Sequence, residues 1–196
     1  MKLRYGLLAA AAILLLTSMA PRAAFASCIA ISKDSTFVDC RAIIAPPFML
    51  GQIYVVAALF GDAANDGITG AEFRIQDFPA TWFPSATPNS AGTSIGDPFG
   101  AGCNITFPSC QNTPSYTVLL YTLTYLPTDA GVHNTNVVAA SPPSNPQFDC
   151  PVMTLCDTPL FTQLCVTGGY FRFNDKGPCE LAIEQARWGE VKALFQ

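Results

Sequence analysis

Ser115-Tyr-Thr-Val-Leu-Leu-Tyr-Thr-Leu-Thr-Tyr-Leu126 is the longest strand signal in the chain, crowded with β-branched and aromatic residues and ended by Pro127. Working outward from it, Ala71-Glu-Phe-Arg-Ile-Gln76 alternates with period two. Ala71, Phe73 and Ile75 point one way and Glu72, Arg74 and Gln76 the other, as in a half-buried strand with one wet face. Ile53-Tyr-Val-Val-Ala-Ala-Leu-Phe60 is apolar on both sides, which suits a strand covered on both faces. These last two segments are expected to be antiparallel neighbours across the Gly61–Gly67 loop. Shorter candidates are 36–39, 104–107, 135–140, 160–166 and 170–174, separated by turns such as Pro84–Ser90 and Ser141–Pro146. The pattern predicts an all-β chain, a two-sheet antiparallel β-sandwich of roughly seven to nine strands.

The ends read differently. Lys2 and Arg4, the apolar run Leu7–Leu16 and Ala24-Phe-Ala26 are the three parts of a secretory signal, so residues 1–26 are expected to be removed. A run of about ten apolar residues is too short to span a bilayer, which needs about twenty, so an integral membrane protein is not expected. Phe25-Ala-Ser-Cys28 also approximates a lipobox, in which Cys28 would carry a lipid, but Pro21-Arg22 separates it from the apolar run. Residues 27–180 form the expected sandwich domain and 181–196 a tail. In the tail Trp188, Val191, Leu194 and Phe195 recur at helical spacing, predicting a short amphipathic C-terminal helix that packs on its own chain or docks elsewhere.

Composition excludes some functions. Of ten Lys and Arg, three (Lys2, Arg4 and Arg22) belong to the signal, so fourteen acids outnumber the remaining cations two to one. Such a chain has no basic surface for nucleic acid. Half its residues are hydrophobic and 12% charged, the balance of a folded domain.

Eight cysteines, Cys28, Cys40, Cys103, Cys110, Cys150, Cys156, Cys165 and Cys179, all follow the signal. An even number in an oxidising compartment predicts a disulfide framework of four bridges. Local pairing would give Cys28–Cys40, Cys103–Cys110, Cys150–Cys156 and Cys165–Cys179, with a crossed pattern among the last four left open. No Cys-x-x-Cys pair occurs, and a metal site is not expected.

Signals for catalysis are sparse. The single histidine, His133, lies in a predicted loop with no Gly-x-Ser-x-Gly elbow to serve. Asp62, Asp66, Glu72, Asp77 and Asp97 are candidate paired acids, but their positions read equally as surface charge. Asp62-Ala-Ala-Asn-Asp-Gly67 lacks calcium ligands at its third and twelfth positions and is better read as turn chemistry. No cofactor is expected. Phe78, Trp82, Phe83, Tyr116, Tyr121 and Tyr125 would serve as contact points if exposed, and as core if covered.

Taken together, Gly67-Ile-Thr-Gly-Ala-Glu-Phe-Arg-Ile75, Ile95-Gly-Asp-Pro-Phe99, Cys150-Pro-Val-Met-Thr-Leu-Cys-Asp157, Cys165-Val-Thr-Gly-Gly169 and Trp188-Gly-Glu-Val-Lys-Ala-Leu-Phe195 resemble a set of uncharacterised secreted cysteine-rich bacterial proteins. The Gly67–Ile75 stretch is also distantly similar to strands of cohesin-like sandwiches, which implies an Ig-like or cohesin-like layout and a protein-binding module. The expectation is a secreted or surface-displayed, non-catalytic structural or binding module, with a protein or carbohydrate ligand. A carboxylate-dependent hydrolase of polysaccharide and a self-assembling extracellular subunit are the alternatives.

Overall fold

Alternating side chains, interrupted every few residues by Pro, Gly or Asn, cut the chain into short strands. The computed structural model describes residues 26–36 and 43–175. Its first half contains β1 (Cys28–Ser32), β2 (Gly51–Ala58), the single helical turn α1 (Asp62–Asp66), β3 (Ile68–Gln76), β4 (Ser85–Pro88) and β5 (Thr93–Asp97). The second half contains β6 (Gly102–Gln111), β7 (Thr117–Tyr125), β8 (His133–Val138), β9 (Val152–Leu155), β10 (Gln163–Cys165), β11 (Thr167–Gly168) and β12 (Tyr170–Phe173). The tail residues Trp188, Val191, Leu194 and Phe195, with Cys40, Cys179 and the signal up to Phe25, lie outside the described residues.

These strands build two layers. One sheet has the order β11-β1-β2-β7-β4. The other, seven-stranded, runs β10-β9-β3-β6-β5, with β8 pairing β3 and β12 beside it. All pairings between named strands are antiparallel except β1 with β11. The all-β sandwich is therefore as expected, with more strands than the seven to nine read from the sequence. The surplus comes from short edge ladders such as β4, β5, β10 and β11.

The 115–126 stretch carries a phase slip that the sandwich uses. Val118 and Leu120 face the core, then Tyr121, Leu123 and Tyr125 do so. Inward positions therefore switch from even to odd, and β2 and β7 absorb the extra residue in a bulge at Val55/Val56. Between the sheets, Phe73, Trp82, Tyr121, Tyr125, Phe171 and Phe173 are fully buried and meet mostly edge to face.

Two expectations are corrected here. β2 and β3 are not neighbours: α1 and Gly67, whose φ is 75°, carry the chain from one sheet to the other. The cysteine pairing is not local either. Cys110 bonds Cys156 and Cys150 bonds Cys165. Cys103–Cys110 is excluded because Cys110 is already bonded, while Cys103 stands opposite Phe73, well along β3 from the Ile68–Gln111 pair beside Cys110. Cys150 and Cys156 are likewise held apart by β9. Cys165–Cys179 is excluded because Cys165 is already bonded. Cys28 and Cys103 are buried thiols, so the pairs drawn to them are overturned as well. Cys28 sits with Ala30 and Ala58 in a small separate cluster, and Cys103 sits in the main core.

Candidate functional site

A cleft opens along the side of the sandwich where both sheets end. β4 is the free edge of the five-stranded sheet, with Ala86 opposite Leu123 and Pro88 opposite Tyr121. β5 is the edge of the other, with Ser94 opposite Ile105 and Gly96 opposite Cys103. The Asn89–Gly92 turn joins them. It is fixed by Asn89, whose amide donates to the Leu119 carbonyl at 2.8 Å and whose side-chain oxygen accepts from Ala91 N–H at 3.0 Å. Gly96 has φ 94°, and a Cβ there would stand 2.3 Å from the Gly102 carbonyl oxygen, so this approach of β5 to β6 needs glycine.

The cleft is an open groove of about 570 Å³. Pro84, Ala86 and Pro88 form one wall, Pro98 and Phe99 the other, and Tyr121 the floor. Prolines at both ends of β4 and just after β5 remove backbone donors and blunt both edges against an added strand, leaving side chains as the contact surface. Phe99 is braced edge to face by Phe78, 5.0 Å between ring centroids. Tyr121 shares a hydrogen bond with the Ser94 hydroxyl.

Burial governs the two titratable groups at the cleft floor. Burial pushes the Tyr121 phenol up from its ordinary value, and the neighbouring Cys103 thiol, also raised by burial, reaches about 12. That thiol donates to the Phe73 carbonyl at 3.7 Å. Asp97 is the cleft's one carboxylate, and its oxygen accepts from Phe99 N–H at 3.0 Å.

The other candidate residues are dispersed. His133 pairs with Asp129, Nε2 to Oδ1 2.8 Å, and its ring stands edge-on to Trp82. Asp129 also accepts from the Trp82 indole N–H at 3.0 Å and from Gly131 N–H at 2.7 Å. Hydrogen bonds from His133, Trp82 and Gly131 hold this carboxyl down at about 2. The triad clasps a loop to the core, with Trp82 stacked on Tyr125. Glu72, expected on a wet face, is instead buried under the 141–150 loop. It accepts from Ser144 N–H at 2.9 Å, from the Ser144 hydroxyl and from the Asn104 amide at 3.4 Å, beside a cavity of about 20 Å³. Among the described residues, each of these two cavities is lined by one acid, and neither shows a carboxylate pair. Among the described residues one cluster has metal-ligand spacing, Asp149 with Cys150 and Cys165, and the mutual bond of its two sulfurs removes the thiolates a metal would need. Of the six aromatic contact candidates, Phe83 and Tyr116 are exposed, while Trp82, Tyr121 and Tyr125 are core and Phe78 is half-buried.

The chain matches no protein-family model and no curated protein. Solved structures of similar layout are cohesins. The sixth cohesin of scaffoldin B from Acetivibrio cellulolyticus, solved with a dockerin, is 13% identical, with a TM-score of 0.48 over 76% of this chain and 99% of that one. A cohesin module of a family 33 glycoside hydrolase from Clostridium perfringens is 7% identical, with a TM-score of 0.49 over 77% and 98%. A non-cellulosomal cohesin from Archaeoglobus fulgidus is 11% identical, with a TM-score of 0.46 over 84% and 98%. Nothing about a ligand follows from these distant likenesses.

The cleft residues Pro84, Ala86, Pro88 and Ser94 escape sequence reading because 84–90 looks like a turn. The signal available was the proline spacing itself, since proline inside a sheet marks an edge.

Proposed function

We propose that the protein is a non-catalytic extracellular binding module that takes an extended segment of a partner protein into the β4–β5 cleft. The observation that carries this reading is the cleft itself: its volume falls within the range of ligand sites, and it is walled by prolines and aromatic rings with one rim carboxylate. Tyr121 is covered and Phe99 half-buried, so no flat ring is offered to a sugar, whereas proline walls with Ser94 and Asp97 beside them suit an extended peptide of mixed polarity. The signal and the two bridges support an oxidising destination outside the cytoplasm.

Panning random peptides against the full mature chain tests this. Selected peptides should lose at least tenfold in affinity for Pro88→Trp, whose ring overhangs the cleft from an exposed position, with the melting curve unchanged. Equal binding by the variant, binding to a glycan array through the same cleft, or turnover of a polysaccharide would each overturn the reading.

A further inference from the structure

One end of the sandwich, where β2 starts and β7 finishes, is unusually apolar. Ile44, Phe48, Met49, Leu50, Phe83 and Val132 are each at least 60% exposed there. They come from three loops that are tied to one another. Phe48 N–H donates to the Pro127 carbonyl at 2.7 Å, and Leu126 N–H to the Trp82 carbonyl at 2.8 Å. Asn174 links the rest: its N–H donates to Ile43 at 2.9 Å, its amide to the Gly131 carbonyl at 3.0 Å, and its side-chain oxygen accepts from Ala45 N–H at 2.7 Å. Phe48 and Phe83 hold φ of 61° and 46°, a left-handed conformation costly for aromatic residues. Contiguous exposed apolar patches of this kind mark surfaces that something covers.

The described chain ends at this same place. Asp175 directly follows Asn174, and beyond it lies the one remaining apolar periodicity in the sequence, Trp188, Val191, Leu194 and Phe195. The segment 176–187 reaches up to about 40 Å fully extended, ample to bring those residues back over the end they leave from.

We propose that the chain's own segment Trp188–Phe195 docks on this apolar end, covering Phe48, Leu50 and Phe83. The face is thereby closed in the monomer, and the β4–β5 cleft stays open. The proposal is independent of what the cleft binds.

Photo-crosslinking in the full mature chain tests it. A benzoylphenylalanine in place of Phe48 should link, within a monomer band, to a peptide containing Trp188–Phe195. The same probe in place of Tyr116, exposed at the opposite end, should not. Trp188→Ser with Leu194→Ser should abolish the Phe48 link while the β-sheet circular dichroism is kept. A link appearing in a dimer band, which would make a second copy the occupant, overturns the proposal. So does a monomer without a link to the tail, or a link that survives the double substitution.

Discussion

A Cβ added to Gly67 would fall 2.7 Å from the Cys110 sulfur. The Cys110–Cys156 bridge joins β6 to the end of β9, the two neighbours of β3, and passes close over the point where β3 begins. Gly67→Ala should therefore destabilise the protein twice over, through φ 75° and through the sulfur contact, by about 1–3 kcal/mol. Denaturant melts of the oxidised protein check this. A midpoint equal to that of the parent would show that the bridge tolerates a methyl group.

Asp129 sets a pH dependence. Its carboxyl is held at about 2 in the folded chain, below the ordinary value near 4, so its stabilising contribution is complete above about pH 4. That contribution fades as pH falls toward 2. The melting temperature of the parent should thus drop further between pH 5 and pH 2.5 than that of Asp129→Asn, with Trp82 emission following the same transition. Parallel curves for the two proteins would refute this assignment.

Glu72 is a second acid with a structural duty. Glu72→Ala strands the Ser144 and Asn104 donors and should cost about 1–3 kcal/mol. Amide exchange at Ser144 should quicken, because the 141–150 loop loses its anchor. Unchanged exchange there would place the anchor elsewhere.

The sulfur chemistry divides into two kinds. Cys28 and Cys103, each pushed up to about 12 by burial, should resist iodoacetamide in the folded protein and react in denaturant. Peptide mapping without reductant should recover Cys110–Cys156 and Cys150–Cys165, with Cys28 and Cys103 as free thiols. Intact mass should carry no diacylglycerol on Cys28, whose sulfur is packed against Ala30 and Ala58. Ready labelling of either thiol before unfolding would contradict this division.

Much of the layering was legible because period-two patterning reports burial directly. Ala71, Phe73 and Ile75 face the core as their alternation requires. That alternation could not report the cover over Glu72, since the covering residue, Ser144, lies far along the chain. The sequence does not fix the neighbours of β2 and β3 for a related reason: a connection from 59 to 67 is long enough for either a hairpin or a crossing between sheets. β9, Val152-Met-Thr-Leu155, escaped notice as a four-residue run between cysteines. Its extension holds Cys150 and Cys156 apart. The cleft escaped too, because an edge is a property of the assembled sheet that no single segment displays.

Both sulfur links of the described residues fasten the seven-stranded layer, one across β3 and one at the β9–β10 hairpin. The five-stranded layer, built on the β2–β7 pairing, contains neither. Among the described residues a reductant therefore acts lopsidedly, unbuttoning the seven-stranded layer and finding no bridge to cut in the other.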